Sequence, residues 1–308
     1  MKNVILDTDI GNDVDDMFAL IMLAKMKEIR LRGVTTTYGD TKLQARMCRY
    51  LLDKLGRIDV PVFSGEDTPL SGKPVLRGPH VSGGFPSDLV NVQANQHTSA
   101  VDFLLEQSRL HDGDLEILCI GPLTNIAKAV QMDPDFPSRI TKLTIMGGMI
   151  YPDKNPVWLK IISRHNGEYN ISCDLNASRI VFSSGFQVTL IPLDVTTTVA
   201  FTRKHRDYFC RMPFGLGEIL ERELDIWWLV TSQMDEHEDY RNNPHDPMAV
   251  VSMYDESFFQ FNTGRLSIGP SHGLEGMTLF EASENSTTKA AVEVDPKVLD
   301  EITLRIVR

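Results

Sequence analysis

The chain is short of cysteine, of positive charge and of long apolar runs, and each shortage removes a class of protein. Four cysteines in 308 residues, Cys48, Cys119, Cys173 and Cys210, show no C-x-x-C spacing. That argues against a disulfide scaffold or a cysteine-built zinc module and fits free thiols in a reducing compartment. Lysine and arginine number 31 against 42 aspartates and glutamates, a net charge of −11. Such a surface repels phosphate backbones and anionic lipid, so no nucleic-acid or membrane partner is expected; neutral or cationic small molecules fit better. No apolar run approaches the ~20 residues needed to span a bilayer. Met1 leads almost directly into the first strand pattern rather than a basic, apolar leader, so the expected location is cytoplasmic.

Aspartate is what the N-terminus has in abundance. Val4-Ile5-Leu6 reads as a buried strand, Asp7-Thr8-Asp9-Ile10-Gly11-Asn12-Asp13-Val14-Asp15-Asp16 as an acidic turn hinged on Gly11, and Met17 to Ala24 as the body of a helix. Two unit charges ~4 Å apart near a surface repel by ~4 kcal/mol at an effective dielectric of 20, so this cluster calls for a counter-charge. The helix N-terminus supplies part of it. A divalent cation suits the remainder, and an all-carboxylate set favours hard Ca²⁺ or Mg²⁺ over zinc. Asp13, and Asp7 with it, can also be read as helix caps. An EF-hand loop fails, because its twelfth position falls on Phe18 and an apolar strand precedes it.

The rest of the chain alternates strand and helix patterns. Ile29 to Thr37 is a strand ending at Tyr38-Gly39-Asp40, and Thr41 to Leu55 a helix; Leu115 to Ile120 is a strand ending at Gly121-Pro122-Leu123-Thr124-Asn125, where a helix begins. Leu143 to Met146 is a strand closed by Gly147-Gly148, and Val188 to Leu193 another. Residues 61 to 97 read as a long loop and 150 to 167 as an irregular insertion; Glu168 to Ile171 reads as a short extended piece and Ala177 to Ser184 as a helix. From about Phe201 to Glu238 the pattern is mainly helical, His245 opens a helix through Tyr254, and the end, from Arg265-Leu266-Ser267-Ile268 to Ile302 through Val307, looks like strands covering an edge. This predicts an α/β fold: one domain over residues 1–308, a mostly parallel, open, Rossmann-like sheet flanked by helices, and a more helical C-terminal part. In such a sheet ligands gather beyond the carboxyl ends of the strands. Asp9 to Asp16, Tyr38-Gly39-Asp40, Thr124-Asn125 and Met146-Gly147-Gly148 should therefore share one face.

These pieces, in order, resemble the inosine-uridine-preferring nucleoside hydrolases. D-T-D-I-G-N-D-V-D-D resembles the family's N-terminal metal signature with two extra residues. Gly121 to Ala127, Ile145 to Gly148, Glu168 to Ile171 with Asp174, Leu193 to Thr196 and His245 to Val250 resemble its G-P-L-T-N-x-A, M-G-G, E-[FY]-N, L-D-V-T and H-D-P-x-A-V blocks. The resemblance implies hydrolysis of an N-ribosidic bond in a small-molecule nucleoside, with bound Ca²⁺, by a homodimer or homotetramer. It implies that Asp9, Asp16, Asp246 and the Thr124 carbonyl hold the ion, and that Asp9 takes a proton from the attacking water. Asp15 would bind ribose hydroxyls, with Asp13 as competitor for that place. Glu168, Asn170 and Met146 would grip the rest of the sugar, and His245 would protonate the leaving base. His80 is a second candidate near the base.

Two departures bear on substrate. Asp40 stands where many members have Asn, so it can accept from a ribose hydroxyl but not donate. The insertion before Glu168 displaces an asparagine often found six residues upstream, and Asn166 is the candidate replacement. Trp227, Trp228 and Tyr240 could stack on a base but are expected in the core. Asp194 is expected to stabilise a strand-end turn and Asp174 to cap a helix. Two other functions are weighed against hydrolysis of nucleosides. One is an Asp-x-Asp phosphohydrolase using Asp7 as nucleophile with Mg²⁺, which lacks a convincing lysine loop; the other is a nucleoside binder whose catalysis has decayed.

Overall fold

The computed structural model describes residues 1–11, 13–72, 83–94, 98–151, 154, 167–235, 240–269 and 277–308. Among the described residues nine strands make one sheet: β1 Lys2–Thr8, β2 Ile29–Thr36, β3 Val62–Ser64, β4 Glu116–Cys119, β5 Lys142–Met146, β6 Val188–Ile191, β7 Phe259–Ile268, β8 Thr278–Ala282 and β9 Lys289–Val294. Their order is β3-β2-β1-β4-β5-β6-β9-β7-β8. Neighbours from β3 through β9 are parallel; β7 is antiparallel to both β9 and β8. The central strands are short and buried on both faces, β4 and β6 along their whole length. That is the environment of parallel strands covered by crossover helices, and it explains their apolar runs.

The helices are α1 Asp15–Lys25, α2 Thr41–Lys54, α3 Ala100–Leu110, α4 Thr124–Met132, α5 Phe136–Arg139, α6 Tyr169–Cys173, α7 Leu175–Ser183, α8 Leu193–Thr196, α9 Arg203–Phe209, α10 Leu216–Asp235, α11 His245–Tyr254 and α12 Val298–Val307. Alternating residues of β1 point to opposite cores. Val4 and Leu6 join the cluster that includes α1, α2, α11 and α12; Ile5 joins that of α3, α4 and α7. Helix α1 is buried from Asp15 to Ala24 and packs against α2, α11 and α12. A helix so enclosed carries its first-turn carboxylates into the protein. Among the described residues no helix is long and apolar enough to cross a membrane.

Three expectations are corrected. The segment 302–307 is not a strand but the body of α12, where Val298, Ile302 and Ile306 are buried at four-residue spacing; helical periodicity overrides the β-branched composition. Glu168 to Ile171 is not extended: Glu168 is the N-cap of α6, accepting from Asn170 N and Ile171 N. Leu193 leaves the sheet and starts α8. The first six strands follow the order 3-2-1-4-5-6, in which the winding direction reverses between β1 and β4. That reversal opens a crevice at the carboxyl ends of β1 and β4, where the acidic turn lies.

Candidate active site

The turn after β1 is shaped by Gly11, whose φ of +100° lets the chain bend sharply into α1. The bend puts Asp15 and Asp16 in the first turn of α1. Asp246 is brought in from the far end of the chain by the first turn of α11, and Asp15 Oδ2 accepts a hydrogen bond from Asp246 N at 3.0 Å. Two helix N-termini thus meet, each presenting buried carboxylates to the other. Ligand oxygens of Asp15, Asp16 and Asp246 all lie within 4.8 Å of one another, the three residues buried. Thr8 Oγ1 donates to Asp16 Oδ1 and fixes that carboxylate against β1.

Electrostatics show how unfavourable the bare cluster is. Burial raises Asp16, and the charges of Asp9 and Asp15 raise it further. Burial raises Asp246 too, with Asp15, Asp16, Asp9 and Asp13 adding to it. Asp15 is pushed by burial to about 6, the Asp246 N–H working in the opposite direction. Buried like charges in mutual contact need a cation or protons. The donor set, carboxylate oxygens alone with helix N-termini behind them, fits a hard divalent ion.

Asp9 is not one of the three mutually closest carboxylates, although the resemblance expects it among the metal ligands. It is buried at the end of β1, directly against the end of β4: a Cβ on Gly121 would stand 2.9 Å from both its N and its Oδ1. Its charge reaches both Asp16 and Asp246. Asp13 is half-buried, and its Oδ1 accepts from Asp15 N at 3.4 Å.

Thr124 is buried at the start of α4, and its hydroxyl donates to Asp174 Oδ2 at 2.8 Å. Asp174 caps α7 as expected, accepting from Ala177 N, and also takes Leu70 N at 2.7 Å. Glu168 is occupied on both oxygens, accepting from Asn170 N at 2.9 Å, Gly148 N at 2.9 Å and Ile171 N at 3.0 Å. Asn170 Nδ2 donates to Ile120 O at 3.1 Å and Met146 O at 3.2 Å. The pair therefore ties the ends of β4 and β5 together. Asp194 accepts from Ile150 N and Tyr151 N, the strand-end role expected of it.

His245 opens α11 half-buried, and desolvation lowers its pKa to about 4; its Nδ1 lies 2.7 Å from Thr196 Oγ1. Thr196 is a contact the sequence does not announce, visible only as the last residue of the L-D-V-T block. Asp40 is exposed and caps α2 through Leu43 N. Trp228 stacks on buried Tyr240 with ring centroids 5.9 Å apart, and both tryptophans pack against the core, in keeping with a core role. His80 and Asn166 lie outside the described residues. Asp7 is neither cap nor exposed nucleophile: it is fully buried within β1, bonded to Thr35 and Asn125, which removes the observation behind a phosphohydrolase.

A doubly wound sheet with an acidic, cation-fitting crevice at its switch point defines an α/β fold with a candidate metal site, and comparisons with known proteins supply the class. Residues 4–301 match the family model of the inosine-uridine preferring nucleoside hydrolases. The chain is 29% identical to a probable uridine nucleosidase 2 of Arabidopsis thaliana over 96% of its own length and 94% of the relative's. It is 32% identical to the pyrimidine-specific ribonucleoside hydrolase RihB of Escherichia coli over 73% and 69%. Among solved structures, a plant nucleoside hydrolase, PpNRh1, superposes with a TM-score of 0.84 at 26% identity, covering 99% of each chain. A purine-preferring ribonucleoside hydrolase of Gardnerella vaginalis superposes at 0.81 and 25%, covering 99% and 98%. The chain belongs to the inosine-uridine preferring nucleoside hydrolase family and is a nucleoside N-ribohydrolase.

Proposed function

We propose that the protein hydrolyses the N-glycosidic bond of ribonucleosides to free base and ribose, with Ca²⁺ as the resident ion. The observation that carries this reading is the meeting of Asp15, Asp16 and Asp246 beside Asp9 at the carboxyl end of β1. Asp16 and Asp246 would hold the ion in common, with Asp9 and the Thr124 carbonyl on the β4 side and Asp15 toward the ribose hydroxyls. Bound calcium would orient an attacking water and lower its pKa.

Asp9 accepts the proton of that water, and the surrounding carboxylates stabilise the positive charge that develops on the sugar in an oxocarbenium-like transition state. Glu168, Asn170 and Met146, already pinned to the ends of β4 and β5, line the sugar side. Thr196 holds the His245 ring: in the doubly protonated imidazolium Nδ1–H donates to Thr196 Oγ1 and Nε2–H is the proton given to the leaving base, which returns the ring to neutral imidazole. Glu168 and Asn170 are held by backbone groups, so the buried Asp15 carboxylate is the group that pairs with the sugar, and ligands lacking ribose hydroxyls are rejected. The acidic lining repels a 5′-phosphate.

The test is reducing-sugar release from uridine, inosine, 2′-deoxyuridine and uridine 5′-monophosphate. Uridine and inosine are set side by side because the relatives are named for both kinds of base. Turnover of at least one ribonucleoside is expected, with the deoxynucleoside and the nucleotide far slower. Equal turnover of uridine and its monophosphate would overturn the reading.

A further inference from the structure

Asp7 lies two residues before Asp9 and makes none of the contacts assigned above to ion or sugar. Its Oδ2 is buried and has no hydrogen-bond partner among the described residues, so its whole output passes through Oδ1. That oxygen accepts from Thr35 Oγ1 on β2 at 2.6 Å and from Asn125 Nδ2 on α4 at 2.7 Å. Asn125 carries the connection onward: its Nδ2 also reaches Thr36 O at the end of β2 at 3.0 Å, and its Oδ1 accepts from Glu66 N just beyond β3 at 2.9 Å. The backbone after β3 lies directly on this amide, since a Cβ on Gly65 would stand 2.4 Å from Asn125 Oδ1. Three strand ends and the first turn of α4 are therefore stapled by one side chain. Its chain neighbour is Thr124, held from the other side by Asp174.

We propose that Asp7 is a positioning residue for the ion site: through Asn125 it sets the first turn of α4, and with it the Thr124 carbonyl, at the height of Asp9 and Asp16. This rests on the reading of Thr124 as an ion ligand. The same carboxylate oxygen has two donors that lead to different places. Loss of the α4 branch should weaken the ion, whereas loss of the β2 branch should cost only stability.

The experiment measures calcium affinity of the chelator-stripped chain by calorimetry, with kcat, KM and thermal midpoint, for Asp7→Asn, Asp7→Leu, Asn125→Ser and Thr35→Val. Asp7→Asn keeps a carbonyl acceptor and should bind calcium within about threefold of the parent. Asp7→Leu and Asn125→Ser should lose roughly 10–100-fold in affinity, the range for groups that orient metal ligands, and a chain carrying both Asp7→Leu and Asn125→Ser should bind no worse than the weaker single. Thr35→Val should lower the midpoint and leave calcium affinity and kcat alone. If Asp7→Leu does not fold, Asn125→Ser carries the test. Parent-like calcium affinity in Asn125→Ser, or equal loss in Thr35→Val, overturns the inference while leaving the reaction intact. A parent chain that neither binds calcium nor releases ribose overturns the underlying reading and this inference with it.

Discussion

Asp246 reaches the crevice from the second residue of α11 and Asp16 from the second residue of α1, so the two carboxylates come to the site from separate helices. Asp16→Asn and Asp246→Asn should each abolish calcium binding in calorimetry, while Asp9→Asn, which removes the proposed base, should lower kcat by about 10²–10⁴-fold. Retention of kcat in Asp9→Asn would remove it from that role. His245→Ala should cost a similar factor on inosine, whose base must be protonated to leave, and little on 4-nitrophenyl riboside, whose leaving group departs as a stable anion. Equal losses on both would show that His245 only packs. At this scale the acidic turn and H-D-P were legible from the sequence because those residues are clustered or adjoin distinctive neighbours. Asp7, Asn125 and Thr196 were not, since their roles depend on partners 28 to 118 residues away in the chain.

Between elements, the sites of close approach make sharper predictions. Gly121→Ala would drive a methyl group into Asp9, and the expected result is ~1–3 kcal/mol of lost stability with a fall in kcat of about 10²-fold from displaced Asp9. Unchanged kinetics would mean that Asp9 tolerates the shift. Glu223 of α10 is buried and accepts from Gly84 N at 2.6 Å. Burial pushes it from 4.5 up to about 7, the Gly84 N–H working the other way. Between these values the unfolded chain releases its proton first, so this group's contribution to stability falls as pH rises and levels off above about 7. In urea denaturation, Glu223→Gln should gain on the parent by up to about 3 kcal/mol between pH 4 and pH 8; a pH-independent difference would contradict the assignment. Strand–helix alternation was readable because buried parallel strands are uniformly apolar. Helix α12 was not, because Ile302-Thr303-Leu304-Arg305-Ile306-Val307 is rich in β-branched residues and only its packing against α1 shows which period wins.

Over the whole molecule, the sheet order is the fact that composition and periodicity could not supply. An alternating pattern predicts a parallel sheet, but the placement of β1 beside β4 comes from long-range pairing, and it is this pairing that brings Gly121 against Asp9. The same architecture collects several raised carboxylates in one place, so calcium should act on the fold as well as the reaction. At a calcium concentration 100 times its dissociation constant the chain should gain about 2.7 kcal/mol, seen as a rise in thermal midpoint that Asp246→Asn lacks. The most direct measurement is ribose release from uridine and inosine by chelator-stripped protein titrated with calcium. Activity on the accepted nucleoside should vanish on stripping and return in step with calcium bound, and Asp246→Asn should recover none of it. Undiminished release from the stripped protein would contradict a reaction built on a cation held between α1 and α11.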